Sequence, residues 1–79
     1  MHTGEVLKLI RQYKKLSQAE LAKRINKSQE MISYWEQQEN LNGETLELLL
    51  KGLKCTREEW MHFKNLPPHL IVNEDQILL

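Results

Sequence analysis

The sequence predicts an all-α fold: a compact bundle of five short helices followed by a short C-terminal tail. Three observations carry this expectation. Apolar residues recur at helical spacing, first in Val6, Leu9, Ile10 and Tyr13 and later in Leu46, Leu49, Leu50 and Leu53. The pattern Ser/Thr-x-x-Glu occurs twice, as Ser17 with Glu20 and as Thr56 with Glu59. Each is a capping box, in which two side chains satisfy backbone N–H groups that a helix start leaves open. Finally, no strand pair is evident, although Leu70-Ile71-Val72 could extend against a partner.

Taken in order, Thr3 is a plausible N-cap for the first helix. Ser17 and Glu20 open the second, which buries Leu21, Ala22 and Ile25. Asn26 follows, a residue that tolerates the left-handed conformation in which helices end. Ser28 caps the third helix, with Ile32 and Trp35 inward. Residues 40–43 read as a loop, and the leucine stripe builds the fourth helix. Thr56 and Glu59 open a short fifth helix through Trp60 and Phe63. Leu66-Pro67-Pro68 stops it, because proline cannot continue a helix. Residues 1–64 are thus expected to form one domain, and 65–79 a tail for dimerisation or partner contact.

At 79 residues the core is thin and a deep catalytic cleft is not expected. Cys55 is the sole cysteine, so no intramolecular disulfide can form, which suits a reducing cytosol. No apolar run approaches the roughly 20 residues of a membrane span, and the start lacks a secretory pattern. The expectation is a cytoplasmic protein. Net charge is zero but unevenly spread. Residues 1–27 hold seven Lys or Arg against two Glu, and residues 28–79 hold four against nine Asp or Glu. Such asymmetry is consistent with a basic face or simply with a solvated surface.

The second and third helices are joined by only Ile25-Asn26-Lys27. Helices so closely joined cross steeply, the geometry of a helix-turn-helix. At 100° per residue, Ile32, Trp35 and Glu36 share the inward side of the third helix. Glu30, Ser33, Tyr34 and Gln37 face the other way, with Gln29 at the leading edge. Gln pairs well with adenine, Glu accepts from the cytosine amino group and Ser is permissive. The same polar face also suits plain solvent exposure. Glu36 on the inward side needs a partner, and Arg11 beside Ile10 is the best placed.

These residues give the chain its likeness. Arg11, the run Ser17-Gln18-Ala19-Glu20-Leu21-Ala22, Ile32, Glu36, Leu46, Leu49 and Leu53 resemble the Cro and lambdoid-repressor, or Xre-like, family of helix-turn-helix domains. The match runs without gaps from about Leu7 to Trp60. The resemblance implies a lambda-repressor-like domain whose third helix, about 28–37, lies in the major groove. It implies Gln29, Glu30, Ser33 and Tyr34 as base readers and Gln18, Lys27, Ser28 and Gln37 as phosphate contacts. It also implies a structural Arg11–Glu36 ion pair and dimers that bind two half-sites.

The sequence departs from this pattern in four places. Asn26 stands at the turn glycine, and Gln38 replaces a glycine common after Glu36. The loop Glu39-Asn40-Leu41-Asn42-Gly43-Glu44 is acidic where DNA-binding members are often basic. The third helix has no Arg or Lys. Affinity would then lean on Lys14, Lys15, Lys23, Arg24 and Lys27, giving modest, salt-sensitive binding per monomer.

No cofactor and no metal are expected, since His2, His62, His69 and Cys55 lack metal-ligand spacing. Cys55 reads as a small buried thiol. No activated Ser or Cys constellation is present, so no enzyme is expected. The leading reading is sequence-specific binding of double-stranded DNA by a homodimeric regulator, a repressor or autoregulator. The alternative uses the same scaffold as a protein-interaction module of antitoxin-like type. Leu48, read as pointing away from the leucine stripe, would then join Met61 and the apolar tail in a partner surface.

Overall fold

The computed structural model describes residues 2–67. Five helices follow one another: α1 (Thr3–Tyr13), α2 (Gln18–Arg24), α3 (Gln29–Glu36), α4 (Gly43–Gly52) and α5 (Arg57–Lys64). Among the described residues there is no strand. The expectations for Leu70-Ile71-Val72, His69 and the rest of 68–79 lie outside the described residues.

Local chemistry sets most helix starts. The Ser17 hydroxyl accepts from Glu20 N–H at 3.0 Å while the Glu20 carboxylate accepts from Ser17 N–H at 2.9 Å. Thr56 and Glu59 repeat the arrangement at 3.1 and 2.9 Å. Ser28 caps α3 through Met31 N–H, and Asn42 caps α4 through Thr45 N–H. Gly43, expected in the loop, is therefore the first residue of α4.

Thr3 is not the N-cap of α1; it is the first helical residue, and His2 precedes it with no side-chain cap bond. The reason is tertiary. Thr3 N–H donates to Glu39 C=O and Gly4 N–H to Gln38 C=O, both at 3.0 Å. The carbonyls that follow α3 satisfy the open start of α1, so no side chain is needed.

Three helix ends share one solution. Lys15, Asn26 and Lys54 have φ of 61°, 57° and 52°. The bonds Leu16 N–H to Arg11 C=O, Lys27 N–H to Ala22 C=O and Cys55 N–H to Leu50 C=O close the same six-residue ring at each end. Asn26 adopts this conformation at low cost, whereas the two lysines carry a penalty of roughly 1–2 kcal/mol each that the surrounding packing must offset.

The core joins Val6, Leu7 and Ile10 of α1 to Leu16, Leu21, Ala22, Ile25, Ile32, Leu49, Leu53 and Phe63. Helix α1 packs against both α3 and α5, and α2 packs against α3. Leu48 does not stand outward. It is half-buried against the core, as are Leu46 and Leu50, so the apolar surface of α4 is broader than one stripe. Met61 remains 46% exposed.

The capping carboxylates carry a pH dependence. The Ser17 backbone N–H, then its hydroxyl, holds the Glu20 carboxyl below its ordinary value. The Thr56 backbone N–H, then Lys14, does the same for Glu59. A carboxylate lowered in the folded state adds stability that is full above its unfolded pKa, roughly 4.3, and is lost as pH falls through the lower folded value. Melting temperature should therefore fall as pH drops below about 4. Glu20→Gln with Glu59→Gln, which keeps the capping geometry, should flatten that part of the profile. Identical profiles for both proteins would remove the capping carboxylates as its source.

Candidate nucleic-acid interface

Helix α3 is fixed from beneath by a buried polar cluster. Arg11 Nε donates to Glu36 Oε2 at 2.6 Å and Arg11 Nη2 to Glu36 Oε1 at 3.3 Å. Arg11 Nη1 donates to Leu16 C=O at 2.7 Å. Gln18 Nε2 adds a bond to Glu36 Oε1 at 3.0 Å. Arg11 and Glu36 are each 8% exposed, so water contributes little and the protein must satisfy the charges itself. It does: among the described residues no buried side-chain N or O lacks a partner. The cluster ties α1, the α1–α2 turn, the first residue of α2 and the last residue of α3 into one unit.

Above it, α3 presents its polar side. Gln29, Glu30 and Gln37 are exposed, Ser33 is half-buried and Tyr34 is 59% exposed. A shallow cleft of about 350 Å³ brings Gln18 together with Gln29, Glu30 and Ser33. A second cleft, of about 540 Å³, has Gln18, Ser33 and Gln37 on its wall together with His2, Glu5, Lys8 and Glu39. Tyr34, Lys27 and Ser28 line neither cleft. Ser28 is occupied as the cap of α3 but its hydroxyl can still donate, and Lys27 is exposed in the turn.

The cations are distributed differently from the sequence reading. Lys14 Nζ bonds Lys54 C=O at 3.2 Å and Glu59 Oε1 at 3.0 Å, bracing α1 against the start of α5. Arg24 Nη1 bonds Gly52 C=O at 3.1 Å, at the end of α4. Both are among the cations on which affinity is expected to lean; Lys14 is half-buried in these bonds, whereas Arg24 stays exposed and uses one N–H on the carbonyl. Lys15, Lys23 and Lys27 are exposed. Between Ser28 and Leu50 the chain carries five Glu and no Lys or Arg. Lys8, to which the sequence assigns no role, lines the second cleft. Its spacing from Arg11 puts Lys8 on the same side of α1, but only the packing of α1 on α3 brings it beside Gln18.

Cys55 is half-buried; burial, then the Glu59 charge, pushes its thiol pKa up, away from a reactive thiolate. Among the described residues no group of three or more His, Cys, Asp or Glu could hold a metal. Among the described residues no helix is long and apolar enough to cross a membrane.

Five helices around one core, with a short turn delivering an exposed polar helix held by a buried ion pair, define a helix-turn-helix DNA-binding domain. The chain belongs to the Helix-turn-helix family of Cro-type, Xre-like domains, whose family model matches residues 7–60. Comparison with curated proteins and with solved structures gave no significant match.

Proposed function

We propose that the chain reads a specific double-stranded DNA sequence as a homodimer and regulates transcription, as a repressor or autoregulator, by occupying its site. Helix α3 lies in the major groove. Gln29 and Glu30 at its start and Tyr34 one turn later address base edges, with Ser33 beside them. Gln18, Lys27, Ser28 and Gln37 address the backbone. The observation that carries this reading is the exposed Gln29, Glu30 and Tyr34 side chains on a helix whose opposite side is locked through Glu36 to Arg11 and Gln18. A groove reader needs that rigidity, since an unfixed helix spends binding energy on ordering.

The chemistry of the face suggests its preferences. Gln29 suits adenine and Glu30 suits the cytosine amino group. Gln29→Ala or Tyr34→Ala should reduce discrimination between preferred and random duplexes by roughly 1–3 kcal/mol per lost contact, with melting unchanged. A variant that discriminates as well as the parent is not missing a reader. The cation-free run from Ser28 to Leu50 favours a second reading, in which the scaffold grips a protein partner. It predicts no sequence preference for DNA in the same assay.

A further inference from the structure

We infer that Lys8 is a DNA-backbone contact: its ammonium group takes a phosphodiester at the cleft between the start of α1, Gln18 and the last turn of α3. This rests on the DNA-reading function above and adds a residue to it.

Residues 1–27 carry seven Lys or Arg. Three of the seven make bonds within the fold: Arg11 to Glu36 and Leu16 C=O, Lys14 to Glu59 and Lys54 C=O, and Arg24, itself exposed, through one N–H to Gly52 C=O. Lys8, Lys15, Lys23 and Lys27 remain, all exposed. Of these four, Lys8 is the one that lines a cleft shared with Gln18, Ser33 and Gln37. Lys8 therefore shares a wall with side chains that flank the outward face of α3.

Three carboxylates, Glu5, Glu36 and Glu39, share that wall with Lys8. Glu36 is neutralised by Arg11 and further held by Gln18. Glu39 lies 3.6 Å from His2 Nδ1. Glu5 stands one turn before Lys8 on α1 and shares its edge. A phosphate entering there meets Lys8 and the second N–H of the Gln18 amide, the first being used by Glu36. The far edge of α3 offers no such charge, because no Lys or Arg occurs from Ser28 to Leu50. Backbone attraction is thus concentrated on the α1–α2 side, and each cation there carries a large share of it.

The test uses the full chain and a random-sequence duplex, titrated by fluorescence anisotropy over a series of KCl concentrations. Each phosphate neutralised adds about 0.9 to the steepness of log K against log salt. Lys8→Ala should reduce the slope by about that amount and weaken random and preferred duplexes by the same factor. Lys8→Arg should keep the slope, and so should Lys51→Ala on α4. A Lys8→Ala protein with the parental slope and affinity overturns the assignment while leaving the DNA-reading function intact. A parent that binds no duplex with any salt dependence overturns both.

Discussion

Arg11→Ala should destabilise the domain by roughly 3–5 kcal/mol, the cost of leaving a buried charge without its partner. Glu36 is 8% exposed, and without Arg11 its carboxylate keeps only the bond from Gln18. The substitution also removes the donor that satisfies Leu16 C=O. A chain this small has a total stability of only about 4–12 kcal/mol, so the loss is a large fraction of it. Each kcal/mol shifts the melting temperature of a domain this size by about 4–8 °C, and the fall should be plain in a thermal scan followed by circular dichroism. Arg11→Met combined with Glu36→Leu should recover much of the loss, because two apolar side chains leave no charge stranded. An unchanged melting curve for Arg11→Ala would show that the pair contributes nothing to the fold. A double variant as unstable as the single one would locate the loss in packing and in the Leu16 carbonyl, which both variants leave without its donor.

Gly4→Ala should destabilise by about 2 kcal/mol or more, reversing the usual sign of that change in a helix. At an open helical position, alanine gains about 1 kcal/mol over glycine. Here a Cβ on residue 4 would sit 2.5 Å from the Glu36 carbonyl O and 2.6 Å from the Trp35 carbonyl O. Both are backbone atoms in the last turn of α3, and neither can rotate aside. Helix α1 must back away, which breaks the bonds from Thr3 and Gly4 N–H to Glu39 and Gln38 C=O. Gly43→Ala is the natural comparison, because its Cβ meets nothing within 4 Å. It should be neutral or stabilising by up to about 1 kcal/mol. If the two variants melt alike, the close approach of α1 to α3 is not a constraint. The contact also aims α3, so Gly4→Ala should weaken DNA binding beyond what its instability explains.

Residues that act within one helix or its own cap were legible from the sequence. Ser17 with Glu20, Thr56 with Glu59, Ser28 and the left-handed Asn26 all depend on neighbours three or four positions away. Periodicity likewise assigned Ile32 and Leu49 inward, and both are buried. What it could not give was the tertiary surroundings of each helix end. Lys14 and Arg24 looked like solvent-facing cations, but each reaches a carbonyl at the end of α4, 40 and 28 residues away. Thr3 looked like a cap because capping side chains are usually local; a distant turn supplies the acceptors instead. Leu48 looked outward because a helical wheel assumes one buried side. At the interface, the face of α3 was readable from its own repeat, whereas Lys8 needed the packing of α1 on α3 to bring it beside Gln18.

The most direct test is selection of bound duplexes from a random DNA library by the full chain at low salt, followed by sequencing. A dimeric groove reader should enrich a palindromic motif with half-sites about one helical turn, roughly 10 base pairs, apart. Cytosine should appear among the enriched positions, and Glu30→Gln should shift that position toward adenine. Weak, salt-labile binding without an enriched motif would contradict sequence-specific reading by α3 and leave the protein-interaction reading in its place.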